Sequence, residues 1–157
     1  MRHIKYIVIH CTAGRQKSAL APILDFWRFV RNWKGYGYHI IIMPNGTAAQ
    51  LLDISEISNG VKGHNHHTVN ISYVGGVDEN NIPIDNRTPS QKQGLIDTIN
   101  SVLDQISQHQ AEIPTILGHR DFSPDQNGNG KIESWERIKE CPCFDAIPEY
   151  KHLTECR

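Results

Sequence analysis

Two hydrophobic periods alternate along the 157-residue chain. Residues 3–10 carry Ile4, Tyr6, Ile7, Val8 and Ile9, a β-branched and aromatic run that predicts a buried strand ending at His10. Residues 19–33 place Leu20, Ile23, Leu24, Trp27, Val30 and Trp33 at helical spacing, with Pro22 confined to the first turn. Gly35 and Gly37 break that pattern, and residues 38–43 read as a second strand. Pro44-Asn45-Gly46 is a turn signal, so residues 47–52 return as the second arm of a hairpin. Residues 53–68 are polar, rich in His and aperiodic, which makes them a long loop. Residues 69–74 form a third apolar run, closed by Gly75-Gly76 and followed by a polar loop over 77–87. Thr88-Pro89-Ser90-Gln91 is a helix start, with a Thr cap, Pro in the first position and Gln in the third. Leu95, Ile99, Val102 and Ile106 then recur every three or four residues. Residues 114–117 are a short strand ending at Gly118-His119, and a polar loop runs on through Lys131. A short helical stretch follows near 135–139, and the tail over 146–157 adds one more helical turn. Alternating strands and helices predict an α/β fold, a central mixed sheet flanked by helices, in a single domain.

Charge changes this picture little. Lys plus Arg number 16 and Asp plus Glu 17, so the net charge of −1 offers no footprint for nucleic acid or an anionic membrane. No apolar run approaches the roughly 20 residues of a membrane span, and the first ten residues read as a strand rather than a signal peptide. The expectation is a monomer with neither nucleic acid nor membrane as a partner.

Composition stands out in nine His beside four Cys: Cys11, Cys141, Cys143 and Cys156. A chain of this size needs no disulfide staples, so reduced thiols with at least one bound to metal is the preferred reading. His10 and His119 each end a predicted strand. Adjacent strands ending on one edge would bring both imidazoles over one point, and Cys141 can join them from a loop. Two neutral imidazoles and a thiolate suit zinc, with the fourth position left for water. Spacing alone also fits two strand-capping histidines and a core thiol, and it leaves Cys143 as a competing ligand.

Local context narrows the choice. Ile9-His10-Cys11-Thr12-Ala13, Gly37-Tyr38-His39-Ile40-Ile41, Gly118-His119-Arg120-Asp121 and Lys139-Glu140-Cys141-Pro142-Cys143-Phe144-Asp145 occur in this order. Gly63-His64-Asn65-His66-His67-Thr68 lies between them as a His/Asn-rich loop before a strand. Together these motifs resemble the zinc-dependent N-acetylmuramoyl-L-alanine amidases of the phage-lysozyme and peptidoglycan-recognition superfamily, over residues 4 to about 147. The resemblance implies His10, His119 and Cys141 as zinc ligands, the cysteine being the one before the proline. It implies Tyr38 and Lys139 as catalytic residues. Lys139, two residues before Cys141, would stabilise an oxyanion, and Tyr38 would orient water or move a proton. His66 is the substrate contact that the loop resemblance suggests. The implied reaction is hydrolysis of the amide joining muramic acid to L-alanine in peptidoglycan or muropeptides. The expected setting is synthesis in the cytoplasm and action on the wall after release by lysis or a dedicated secretion machine, with a cytoplasmic recycling enzyme acting on soluble muropeptides as the alternative. The alternative is a non-catalytic module that binds muramyl peptides. Members of that kind usually lack the cysteine ligand.

Residues 125–136 carry a second metal pattern. Asp125, Asn127, Asn129, Lys131, Glu133 and Glu136 occupy the ligand positions of a twelve-residue EF-hand calcium loop, with Gly130 at the sharp turn. Lys131 would contribute only its carbonyl. Phe122-Ser123-Pro124 cannot end an entering helix, so the expectation is a lone calcium loop.

Overall fold

A computed structural model describes residues 1–155 and 157. Its centre is a five-stranded mixed sheet in the order β3-β2-β4-β1-β5. The strands are β1 (Tyr6–Cys11), β2 (Ile40–Ile42), β3 (Ala48–Gln50), β4 (Thr68–Tyr73) and β5 (Thr115–Gly118). β1 lies in the middle, parallel to β4 on one side and to β5 on the other. β2 runs parallel to β4, and the Pro44-Asn45-Gly46 turn brings β3 back antiparallel at the edge. Ile7, Val8 and Ile9 are fully buried, as a central parallel strand covered on both faces requires.

Helix α2 (Pro89–Ser107) covers one face with Leu95, Ile99, Val102, Leu103 and Ile106. Its start is the expected capping box: Thr88 accepts from the Gln91 N–H, while the Gln91 side chain accepts from the Thr88 N–H at 3.0 Å. The helix expected over 19–33 is shorter. α1 runs Leu20–Asp25 as α-helix and Phe26–Val30 as a π-turn, with the Arg31 N–H reaching the Phe26 carbonyl at 3.0 Å. That wider turn directs Trp27 into a second cluster with Ile41 and Val74 on the opposite face.

The chain after β5 holds only short turns. His119–Phe122 and Ser134–Glu136 are 3-10, and α3 (Ala146–Tyr150) precedes a last 3-10 turn. The helix expected near 135–139 is thus a single turn ending at Glu136. No described helix is long and apolar enough to cross a membrane. Cys11, Cys141 and Cys143 are free thiols, and Cys156 lies outside the described residues.

Candidate metal centre and active-site groove

Register brings the two strand-end histidines together. Ile9 pairs with Gly118 across β1 and β5, and the next residue of each strand is histidine. The His10 and His119 rings meet at 4.7 Å between centroids, inclined at 66°. The loop carrying Cys141 is held from both sides. The Arg120 N–H donates to the Cys141 carbonyl at 2.8 Å, and the Cys11 N–H to Cys141 Sγ at 3.2 Å. Sγ then lies 3.8 Å from His10 Nδ1, and the ligand atoms of all three residues fall within 4.8 Å of one another. Bonds of ~2.0–2.3 Å in a tetrahedron set ligand atoms roughly 3.3–3.6 Å apart, so a small inward movement would bring these three to the spacing of zinc ligands. Among the described residues no other three His, Cys, Asp or Glu side chains converge in this way.

Electrostatics suits metal binding. Burial lowers the His10 pKa to about 4; the Asn70 hydrogen bond opposes this shift and the Lys139 charge adds to it. Burial, His10 and Lys139 lower His119 to about 3. Both imidazoles are neutral at pH 7, the state that leaves a ring nitrogen free for a metal. The competing thiol points elsewhere. Cys143 has φ of +74°, its Sγ lies 3.9 Å from Cys11 Sγ, and it donates to the Gly76 carbonyl at 3.3 Å.

Tyr38 stacks at 4.9 Å on the His10 ring, and its hydroxyl donates to the Cys11 carbonyl at 3.2 Å. Burial, then the Cys141 and Cys11 sulfurs, push its pKa up, so the phenol keeps its proton and acts as a donor. Lys139 is exposed on the groove wall, close enough that its charge is felt at His10 and His119. His66 is exposed and does not line the groove; the histidine of that loop that does is His64, packed 4.8 Å from Phe122. His64 precedes the 3-10 turn that carries His66, so the two imidazoles leave the chain in different directions.

The groove encloses about 900 Å³ around His119 and Cys141. Phe26, Trp27, Trp33 and Phe122 line it with apolar surface. Its charged lining consists of Arg31, Lys62 and Lys139, with no carboxylate among the described residues.

The residue missed in the sequence is Asn70. Fully buried in β4, it places Oδ1 at 2.9 Å from His10 Nε2. The one available signal was a polar residue inside the apolar run Val69-Asn70-Ile71.

Residues 125–136 turn sharply at Gly130, where φ is +81°. The Asp125 carboxylate accepts from the N–H groups of Gly128 and Gly130, each at 2.7 Å. Glu136, 1% exposed, accepts from the N–H groups of Gln126, Asn127 and Glu133 at 2.8, 3.2 and 2.8 Å. Asn127 Nδ2 donates to Glu133 Oε2 at 2.8 Å.

Residues 1–142 match the model of the N-acetylmuramoyl-L-alanine amidase family. The endolysin of Enterobacteria phage T3 is 28% identical over 141 residues, covering 88% of this chain and 80% of the endolysin. An uncharacterized protein of Haemophilus influenzae is 40% identical over 102 residues, 64% of this chain and 79% of that protein. Among solved structures, the N-acetylmuramoyl-L-alanine amidase LysC from Clostridium intestinale superposes with a TM-score of 0.67 at 21% identity, covering 97% of this chain and 83% of its own. Drosophila PGRP-LB also gives 0.67, at 18% identity, covering 96% and 81%. The two structures share the fold, and the family model spans residues 1–142, a range that includes His10, His119 and Cys141. This chain belongs to the N-acetylmuramoyl-L-alanine amidase family.

Proposed function

We propose that the protein is a zinc-dependent amidase that hydrolyses the bond between N-acetylmuramic acid and L-alanine. The observation that carries this reading is the convergence of His10, His119 and Cys141 on one point of a groove that also presents Tyr38 and Lys139. Zinc held by those three residues would supply a water nucleophile at neutral pH and polarise the scissile carbonyl. The chain's own residues supply the rest. Lys139 places positive charge where the carbonyl oxygen becomes an oxyanion. The protonated Tyr38 hydroxyl adds a hydrogen-bond donor on the same side, anchored at the Cys11 carbonyl until substrate arrives. The aromatic wall suits the flat faces of a sugar ring. Arg31, Lys62 and Lys139, without a carboxylate among the lining residues, suit an acidic stem peptide.

The reading rests on zinc alone. No step of it needs calcium at residues 125–136. The test is turnover of intact sacculi and of soluble muropeptides, with the products identified by mass spectrometry. Free stem peptides beginning with L-alanine are expected. Tight binding of muropeptides without product, at stoichiometric zinc, would instead identify a recognition module.

A further inference from the structure

We infer that Asn70 is a positioning residue that sets the tautomer of His10, and that its own amide is oriented by a chain of hydrogen bonds through Ser58 and His39. Each link follows from what its atoms can donate. The Asn70 main-chain N–H can only donate, and it lies 2.9 Å from His39 Nδ1. That nitrogen therefore carries no proton. The His39 proton sits on Nε2, where the Glu56 carbonyl accepts it at 3.1 Å. Arg2 Nη2, also 3.1 Å from Nε2, donates to the Thr68 carbonyl at 2.7 Å, and its second hydrogen finds no lone pair on the protonated Nε2.

Ser58 Oγ lies 3.0 Å from the same unprotonated Nδ1, so the hydroxyl donates there and shares the lone pair with the Asn70 N–H. With its hydrogen committed, Oγ can only accept from the group 2.8 Å away on Asn70, which is therefore the amide nitrogen. Thr68 Oγ1 takes the second amide hydrogen at 3.1 Å. Oδ1 must then face His10 Nε2, at 2.9 Å. An amide oxygen only accepts, so His10 carries its proton on Nε2 and its lone pair on Nδ1, the atom beside Cys141 Sγ.

His10, His39, Ser58, Thr68 and Asn70 are all fully buried, so water offers none of these atoms an alternative partner. Space for the amide comes from Gly60. A Cβ there would stand 2.3 Å from Asn70 Cγ. The chain begins and ends on Asn70: its main chain orients His39, and its side chain orients the metal ligand. A metal-binding imidazole needs such a partner on its far nitrogen to hold its orientation.

The tautomer half of this inference stands without metal; only the affinity half rests on the zinc reading. The first measurement is long-range 1H–15N NMR on the metal-free, 15N-labelled protein at pH 7.5. His10 is expected as the Nε2–H form, and a dominant Nδ1–H form would overturn the inference. The second compares variants, each checked for native-like amide spectra. Asn70→Asp keeps an acceptor toward His10 and should retain the Nε2–H form. Asn70→Leu removes it, so the Nδ1–H form should appear and zinc affinity fall roughly 10- to 100-fold in competition with a chelating dye. Ser58→Ala touches neither His10 nor the metal, yet it frees the amide to turn and should also populate the Nδ1–H form. If Asn70→Leu does not fold, the wild-type and Ser58→Ala spectra decide. A wild-type-like tautomer in Ser58→Ala and, where it folds, in Asn70→Leu would refute the chain.

Discussion

Replacing Arg87 with methionine should cost about 3–4 kcal/mol of stability at pH 7.5 and less in acid. The guanidinium is among the most constrained groups in the fold, its side chain 1% exposed. It makes paired bonds to Asp85 at 2.8 and 2.8 Å and to Glu149 at 2.7 and 3.0 Å, and donates to the Tyr150 hydroxyl at 3.0 Å. Its carbon lies 3.2 Å from the centroid of Phe144, three residues beyond Cys141. Burial acts to lower its pKa, and the two carboxylates more than offset that. Methionine fills the space of the stem but leaves Asp85 and Glu149 facing each other without a cation. Breaking a buried pair costs about 3–5 kcal/mol. The carboxylates here are 29% and 36% exposed and recover some hydration, which sets the expectation in the lower half of that range. The pH dependence gives the signature. In the wild type, Arg87 outweighs the burial of Asp85 and lowers its pKa, so this contribution is present above the unfolded carboxylate pKa and lost as pH falls through the folded one. In Arg87→Met the unpaired carboxylates favour protonation, so part of the loss returns on acidification. Urea unfolding of both proteins at pH 7.5 and pH 4.5 reads the effect. A difference under about 1 kcal/mol, or one that does not shrink at pH 4.5, would show that Arg87 does not hold this corner together.

Tyr38→Phe and Lys139→Ala should each retain one zinc per chain and lose on the order of a hundredfold or more in hydrolysis, measured on soluble muropeptides. Near-normal turnover with full zinc would remove them from the mechanism. Glu136→Ala should destabilise the protein by about 2–4 kcal/mol in calcium-free buffer, because three N–H groups lose a carboxylate acceptor. A large rise in the wild-type melting temperature with calcium, absent in Glu136→Ala, would identify residues 125–136 as a calcium site. Acid should destabilise the metal-free protein through its buried histidines. Burial, opposed by the Glu56 carbonyl, holds His39 at about 4, and His10 stands at about 4 and His119 at about 3, all below the unfolded value of about 6.5. Their stabilisation is complete above pH 6.5 and lost as pH falls through 4, on the order of a few kcal/mol per group. Flat stability of the metal-free protein between pH 7 and pH 4, read by urea unfolding, would contradict their burial as neutral rings.

Local chemistry made much of the frame legible. The Thr88-Pro89-Ser90-Gln91 cap is a short-range hydrogen-bond pattern, and the structure reproduces it atom for atom. The strand expected to end at His10 is an apolar run that continues one residue further, to Cys11, and its pairing with the strand before His119 follows from parallel neighbours ending on one edge. The undetected features depend on backbone direction or long-range packing. Spacing alone does not separate Cys141 from Cys143; the resemblance points to Cys141, and the backbone, with φ of +74° at Cys143, turns that thiol away from His10. His64 and His66 are likewise separated by the 3-10 turn between them, which no hydrophobic period signals. Asn70 and Gly60 are a polar residue and a gap that fit each other across a loop and a strand. Neither residue alone announces the other.

The account's central claim is tested most directly by one product measurement. Purified sacculi are digested with the zinc-loaded protein, with the same protein after chelation, and with the chelated protein resupplied with zinc. Mass spectrometry then follows the bonds broken. The loaded and resupplied samples should release stem peptides with a free L-alanine amino terminus and leave the glycan strands uncut. The chelated sample should release none. Glycan fragments with new reducing ends, or equal release of stem peptides with and without zinc, would contradict a zinc amidase built on His10, His119 and Cys141.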